Sequence, residues 1–359
     1  MIGGASLYNI FRAWNPSLPE IDSSSLFPQA LPMACFFIFW ALNMFIVYLG
    51  VDSIKKLLVF KAFFLPIAAL ALLAWAIMAA KGLGPILDQP SKFTSTGSFL
   101  HYFFPALTGM VGFWATLSLN IPDFTRYARS QKAQINGQIF GLPPSMTFFA
   151  FVGVIVTSAT AIVYGSTEWD IVKLAGKFEN KLMVTFAMIG IIISTLATNI
   201  AANIVSPAND FSHLSPKKID FRMGGYITGI IGVLIFPWKL IADPNGYIFT
   251  WLIAYSSLLG PVGGIMIADY YFIRKQQLEI DELYSPNGRY SFRGGFNPAA
   301  VIALLAGILP NIPGFLLQIK LISSTAFPAW ISDLYNYAWF VGFFVSGIMY
   351  IVLMRNREQ

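Results

Sequence analysis

Phe63 to Ala80 reads FFLPIAALALLAWAIMAA, a run without a single charged residue. About 20 apolar residues carry a helix across a bilayer, whereas a run of 10–14 suits a buried core helix. Several other runs in the chain reach the longer length. Across all 359 residues, 56% are hydrophobic and only 11% charged, and the mean hydropathy is +0.65. Soluble domains carry roughly 25% charged residues, so a soluble protein with a large core does not fit. The expected class is an all-α polytopic membrane protein.

Nine spans follow from apolar runs bounded by polar, Gly or Pro-rich breaks. Their limits are 30–50, 56–80, 99–120, 139–165, 183–205, 223–241, 247–273, 298–318 and 333–354. Residues 1–14 form a further apolar piece, too short to cross. The chain reads as a single transmembrane domain over 1–359, without low-complexity or soluble segments. The longest cytoplasmic stretch, 274–297, holds the turn signal Pro286-Asn287-Gly288.

A sequence pI of about 9.2 raises nucleic acid as a partner. The basic residues sit in short segments between spans rather than in one stripe, so no nucleic acid is expected and the bilayer is the partner. Lys55, Lys56, Lys61, Arg126, Arg129, Lys132, Lys217, Lys218, Arg222, Arg274, Lys275, Arg289, Arg293, Arg355 and Arg357 fall on one side. Arg12, Lys81, Lys92, Lys173, Lys177, Lys181, Lys239 and Lys320 fall on the other. The richer side is expected to be cytoplasmic, which places the C-terminus inside and residues 15–29 outside. Residues 1–14 then read as the outer half of a span, as in a chain that starts partway through a larger protein; an interfacial or re-entrant helix is the other reading. The single cysteine, Cys35, has no intrachain partner. His101 and His213 are too far apart in sequence to suggest a metal cluster. No secretory signal is recognisable. No nucleophile–base pair or phosphate loop appears, so neither an enzyme nor an organic cofactor is expected.

Polar groups within spans are costly in lipid and usually face a bundle interior or a pathway. The densest set is Ser194-Thr195-Leu196-Ala197-Thr198-Asn199-Ile200-Ala201-Ala202-Asn203. Ser194 and Thr198 share one helical face, and Thr195, Asn199 and Asn203 share another. Hydroxyls and amide oxygens can replace water around a small cation. Amides also match the donors and acceptors of a heterocycle. Packing between helices accounts for the same residues, and both readings stand. A second group is Pro105-Ala106-Leu107-Thr108-Gly109-Met110-Val111-Gly112-Phe113-Trp114. Its Pro and glycines suggest a loosened helix of the kind that forms transporter sites, or a close-packed seam. Trp114, deep in its span, is a stacking platform or a core residue. Asp123 and Arg126 read as an inner gate or as solvated loop residues, Asp269 as half of a local ion pair, and Gly260-Pro261 as a broken or close-packed helix.

Gly112 to Tyr127, GFWATLSLNIPDFTRY, strongly resembles the sixth-helix signature of the nucleobase–cation symporter family, which includes hydantoin, allantoin and cytosine permeases. Thr198-Asn199-Ile200-Ala201-Ala202-Asn203, with Ser206-Pro207-Ala208-Asn209-Asp210-Phe211, resembles the family's eighth-helix motif. Pro237-Trp238-Lys239 and Gly260-Pro261 through Ala268-Asp269-Tyr270-Tyr271 fit later segments. The flavour is that of bacterial allantoin permeases. The resemblance implies a partial five-plus-five inverted-repeat transporter in which 1–14 is the remnant of helix three and 30–354 holds helices four to twelve.

It further implies a cation-coupled symporter for a ureide or nucleobase-like ring such as allantoin, working by alternating access in the plasma or inner membrane. A non-transporting remnant, or a subunit needing the missing N-terminal helices, is the alternative. Trp114 matches the substrate-stacking tryptophan and Asn203 the substrate-binding asparagine. Phe113 stands where a hydantoin transporter has glycine, which implies a tighter pocket. Ser194 and Thr198 match cation-site positions. Ala197 stands where a sodium-binding member has serine, so the coupling ion is sodium or a proton, and sodium is the one metal the resemblance suggests.

Overall fold

A computed structural model describes the chain except for residues 22–28, 243–245, 284, 286, 324 and 356–359. Part of the expected outer segment 15–29 and Pro286 of the expected turn therefore lie outside the described residues. The main helices are α1 (Ile2–Trp14), α2 (Ala30–Leu49), α3 (Val51–Ala79), α4 (Thr96–Asn120), α5 (Gln131–Tyr164) and α6 (Lys181–Asn203). They continue as α7 (Val205–Leu214), α8 (Phe221–Leu234), α9 (Ile253–Ile267), α10 (Pro298–Ile308), α11 (Ile312–Gln318) and α12 (Ala338–Arg355). Short π-helical turns flank α9 at Tyr247–Leu252 and Ala268–Ile273.

Among the described residues, seven helical stretches are long and apolar enough to cross a membrane: Ala30–Leu49, Val51–Ala79, Gln131–Tyr164, Lys181–Leu214, Thr250–Ile273, Pro298–Gln318 and Ala338–Arg355. The expected span 99–120 is helical within α4 but falls outside this set. Span 223–241 divides into α8 and a short helix, Pro237–Ala242.

Helix starts follow local chemistry. Free N–H groups of a first turn need an acceptor, which short polar side chains supply. Ser95 and Ser98 form a reciprocal capping box at α4. Ser130 accepts from Ala133 N at α5, Asn180 from Leu182 and Met183 N at α6, and Asp220 from Met223 N at α8. Asn297 caps α10, where Pro298 fills the first-turn position that needs no N–H. Gly50 (φ 89°) turns the chain between α2 and α3, a conformation that favours a residue without Cβ.

The chain forms two compact units, Met1–Ser91 with Pro122–Ala242, and Lys92–Ile121 with Asp243–Gln359. In the first unit, small residues let helices approach closely. A Cβ on Gly4 of α1 would lie 2.6 Å from Phe36 Cα of α2, and one on Gly225 of α8 would lie 2.6 Å from Val47 Cγ1. Trp40 Nε1 donates to Gly229 O at 3.0 Å, tying α2 to α8. A second core joins α3 to α5 through Ala69, Ala76, Val152, Ile155, Val156 and Ala159.

The second unit is built on α9, α10 and α12. A Cβ on Gly342 would sit 2.6 Å from Pro261 Cδ, and one on Gly307 would sit 2.8 Å from Gly342 O. Ser346 Oγ donates to Pro261 O at 2.9 Å. Gly260-Pro261 is thus a close-packed seam inside a continuous helix, not a break. Asp269 accepts from Tyr350 Oη at 2.6 Å and pairs with Arg274 Nε at 3.4 Å, so the expected ion pair also carries a tyrosine.

Candidate functional site

In the first unit, α6 ends at Asn203, and Ile204 (φ −118°, ψ −44°) separates it from α7. Polar residues of its last three turns form two chains of hydrogen bonds. Asn203 Nδ2 donates to Asn199 Oδ1 at 2.9 Å, the neighbour one helical turn back. Asn199 Nδ2 donates to Asn43 Oδ1 of α2 at 3.0 Å. Asn43, only 3% exposed, donates from Nδ2 to Phe39 O at 2.7 Å. Asn203 at the other end is exposed, and after this bond it keeps one N–H and its carbonyl oxygen.

The second chain joins the two hydroxyl positions to a cation. Thr198 Oγ1 donates to Ser194 O at 2.7 Å. Lys61 Nζ donates to the same Thr198 Oγ1 at 2.6 Å. Lys61, which by charge counts with the residues between spans, stands inside α3, roughly 15 Å along the helix from Val51 at 1.5 Å per residue. Ala197, between the two chains, is fully buried and offers only a methyl group.

In the middle of α7, Asn209 reaches Asp123, which is held from two sides. Asn209 Nδ2 donates to its Oδ1 at 3.0 Å, and Arg126 lies 3.8 Å from the same oxygen. Lys55 and Arg126 both lie over the Tyr127 ring, at 4.7 and 5.3 Å. Asp123 is therefore a fixed tertiary partner rather than a solvated loop carboxylate.

In the second unit, Phe113 and Trp114 are neighbours on α4, with ring centroids 5.4 Å apart and planes at 86°. Phe113 is half exposed. Trp114 is partly buried, and its Nε1–H is enclosed without an acceptor among the described residues. An enclosed N–H without a partner is uncommon, because it forfeits its hydrogen bond to water. The backbone around the pair is fixed by close packing. A Cβ on Gly112 would run into Ser256 Oγ and Leu252 O. Ser256 Oγ donates to Leu252 O at 2.9 Å and Thr108 O at 3.1 Å, and Thr108 Oγ1 donates to Asn336 O at 2.5 Å. Helix α4 continues through Pro105, Gly109 and Gly112. Of the two readings of this string, the close-packed seam describes Gly112, whose missing side chain lets Leu252 and Ser256 approach.

From sequence alone, neither Asn43 nor Lys61 is assigned a role at the site. A lone amide in the apolar stretch Ala30–Leu49 and a lysine inside a span were the available signals, since each is costly in lipid unless partnered. Neither signal names the partner.

A family model described as permease for cytosine/purines, uracil, thiamine and allantoin matches residues 1–342. The purine-uracil permease NCS1 of Arabidopsis thaliana is 42% identical, over 100% of this chain and 60% of its own length. The allantoin permease of Bacillus subtilis (strain 168) is 40% identical, over 89% of this chain and 63% of its own length. The chain thus spans less than two thirds of these relatives. Among solved structures, Mhp1 in an inward-facing conformation is similar with a TM-score of 0.68 at 20% identity, covering 99% of this chain and 70% of Mhp1. A closed conformation of Mhp1, described as a nucleobase-cation-symport-1 family transporter with bromovinylhydantoin bound, gives 0.66 at 20% identity. The likeness to Mhp1 establishes a transporter fold.

Proposed function

The chain belongs to the family of permeases for cytosine and purines, uracil, thiamine and allantoin, and on that premise we propose that it serves cation-coupled uptake of a ureide or nucleobase-like ring, such as allantoin or uracil, by alternating access. It is an integral membrane protein; the proposed site is the plasma or inner membrane, with the C-terminus cytoplasmic. Asn203 is the proposed hydrogen-bonding residue, Trp114 the stacking residue, and Phe113 the residue that sets the room beside it. The observation that carries this reading is the free end of the asparagine chain. Among the described residues Asn203 holds out one donor and one acceptor, the complement of a ring –NH–C(=O)– edge.

For the coupling ion, the proposal is a proton rather than sodium. Ala197 supplies no oxygen, and Thr198 Oγ1 already carries the Lys61 ammonium at 2.6 Å. A tethered cation beside the proposed site repels a second one. Coupling requires that the ion bind the transport states with different affinity, and a lysine that gains and loses a proton meets that need without a sodium cage.

The test is accumulation of labelled allantoin and labelled uracil by cells expressing the chain at measured membrane levels, with hydantoin and cytosine as competitors. Saturable accumulation that survives replacement of sodium by choline and collapses with a protonophore is expected. Accumulation that requires sodium overturns the choice of ion, and absence of any saturable binding or uptake overturns the transport reading for this chain.

A further inference from the structure

The three asparagines have a direction, and one atom fixes it. Side-chain amides are ambiguous, because oxygen and nitrogen can exchange places by a flip. Phe39 O is a backbone carbonyl and can only accept. The amide 2.7 Å from it must therefore present Nδ2, which turns Asn43 Oδ1 toward Asn199. Asn199 must then offer Nδ2 to Asn43 and Oδ1 to Asn203, and Asn203 must offer Nδ2 to Asn199. Each step leaves one option, because two oxygens or two N–H groups face to face form no bond. Burial tightens the lock: Asn43 is 3% exposed, so bulk water does not compete with Phe39 O.

From this geometry we infer that Asn43 is a positioning residue: it touches no substrate but sets, through Asn199, which way the Asn203 amide points, and thereby the order of donor and acceptor that Asn203 offers to a ring edge. The inference rests on the proposed role of Asn203. It adds a specificity-determining residue on α2, a helix in which the sequence analysis placed no site residue. Without the anchor, Asn199 and Asn203 can flip together, and Asn199 loses its partner.

The test uses the purified chain, labelled with 15N-asparagine, and two readouts. The first is the side-chain NH2 resonance of Asn203, assigned by its loss in Asn203→Ala. Asn43→Leu should move it and speed its hydrogen exchange. Asn43→Asp, measured at a pH low enough to keep the buried carboxyl protonated, should leave it near its wild-type position, because its O–H still donates to Phe39 O and its other oxygen still accepts from Asn199 Nδ2. An Asn203 resonance unmoved by Asn43→Leu overturns the inference. Where Asn43→Leu fails to fold, Asn43→Ala removes the same anchor without added bulk and must give the same shift.

The second readout is a binding cycle with uracil and with allantoin. Asn43→Leu should weaken binding roughly three- to tenfold, the scale of one net hydrogen bond, with Asn43→Asp restoring most of it. On an Asn203→Ala background, Asn43→Leu should cost nothing further. An equal loss on both backgrounds marks a purely structural role and overturns the inference. If Asn203→Ala leaves binding unchanged, or if nothing binds to the wild-type chain, the functional reading fails, and the resonance still decides whether Asn43 directs the amides.

Discussion

At the scale of single residues, the balance is between what a side chain offers and what its neighbours have already claimed. Trp114 keeps an enclosed Nε1–H without an acceptor among the described residues, and its ring meets Phe113 edge to face. Stacking of a planar ring on an aromatic side chain is worth about 1–3 kcal/mol, or roughly 5- to 150-fold in affinity. Trp114→Ala should therefore weaken binding of uracil or allantoin by that range while membrane levels hold, and Trp114→Phe should recover part of it. Unchanged binding in Trp114→Ala removes the stacking role. Lys61 presents a separate case. Lys61→Met keeps the aliphatic stem but removes the ammonium from Thr198, so equilibrium binding should persist while accumulation driven by a proton gradient is lost. Concentrative uptake by Lys61→Met at the wild-type level would remove the lysine from the coupling mechanism.

At the scale of elements, glycine decides which helices touch. The string Pro105 to Trp114 suits a broken helix or a seam, since the same small residues permit either. Its neighbours settle the matter: Leu252 O and Ser256 Oγ occupy the space a Cβ on Gly112 would need. Gly264 behaves alike, with Ser346 Oγ 2.7 Å from where its Cβ would be. Overpacking a close contact costs typically 1–3 kcal/mol, sometimes more. Gly112→Val and Gly264→Val should each lower the thermal midpoint of the purified protein by several degrees. Gly232→Ala, where no atom lies within 4 Å of the added Cβ, should change it little. Ser346→Ala removes a bond to Pro261 O and should cost less than either, since interhelical hydrogen bonds in membranes average about 0.6 kcal/mol.

At the scale of the whole molecule, the proposed orientation rests on charge. If the side expected to be richer in lysine and arginine is cytoplasmic, Lys217→Cys should react with an impermeant maleimide only after the cytoplasmic face is opened. Lys92→Cys and Lys173→Cys should react from outside in intact cells. Cys35 is 1% exposed, so the background is silent. The reversed pattern would invert the proposed topology.

Much of the fold is legible without coordinates, because an apolar run long enough to span a bilayer is a local property of the chain, and so is a helix cap such as Ser95 or Asn180. The family, too, is written in contiguous strings such as Gly112 to Tyr127. The division of the longest apolar stretches was less legible: span 223–241 ends early at Leu234, and α6 stops at Asn203. Helix continuity and close approach depend on neighbours that periodicity does not name. The candidate site divides along the same line. Ser194, Thr198, Asn199 and Asn203 could be picked out as polar groups at helical spacing. Their partners could not, because Asn199 meets Asn43 across 156 positions and Thr198 meets Lys61 across 137. The sequence by itself determined that this is a helical membrane protein of the permease family, since hydropathy and motifs are local. Only the tertiary structure decided which amide anchors Asn203 and which cation sits on Thr198, since a hydrogen bond between distant residues exists only once helices have packed.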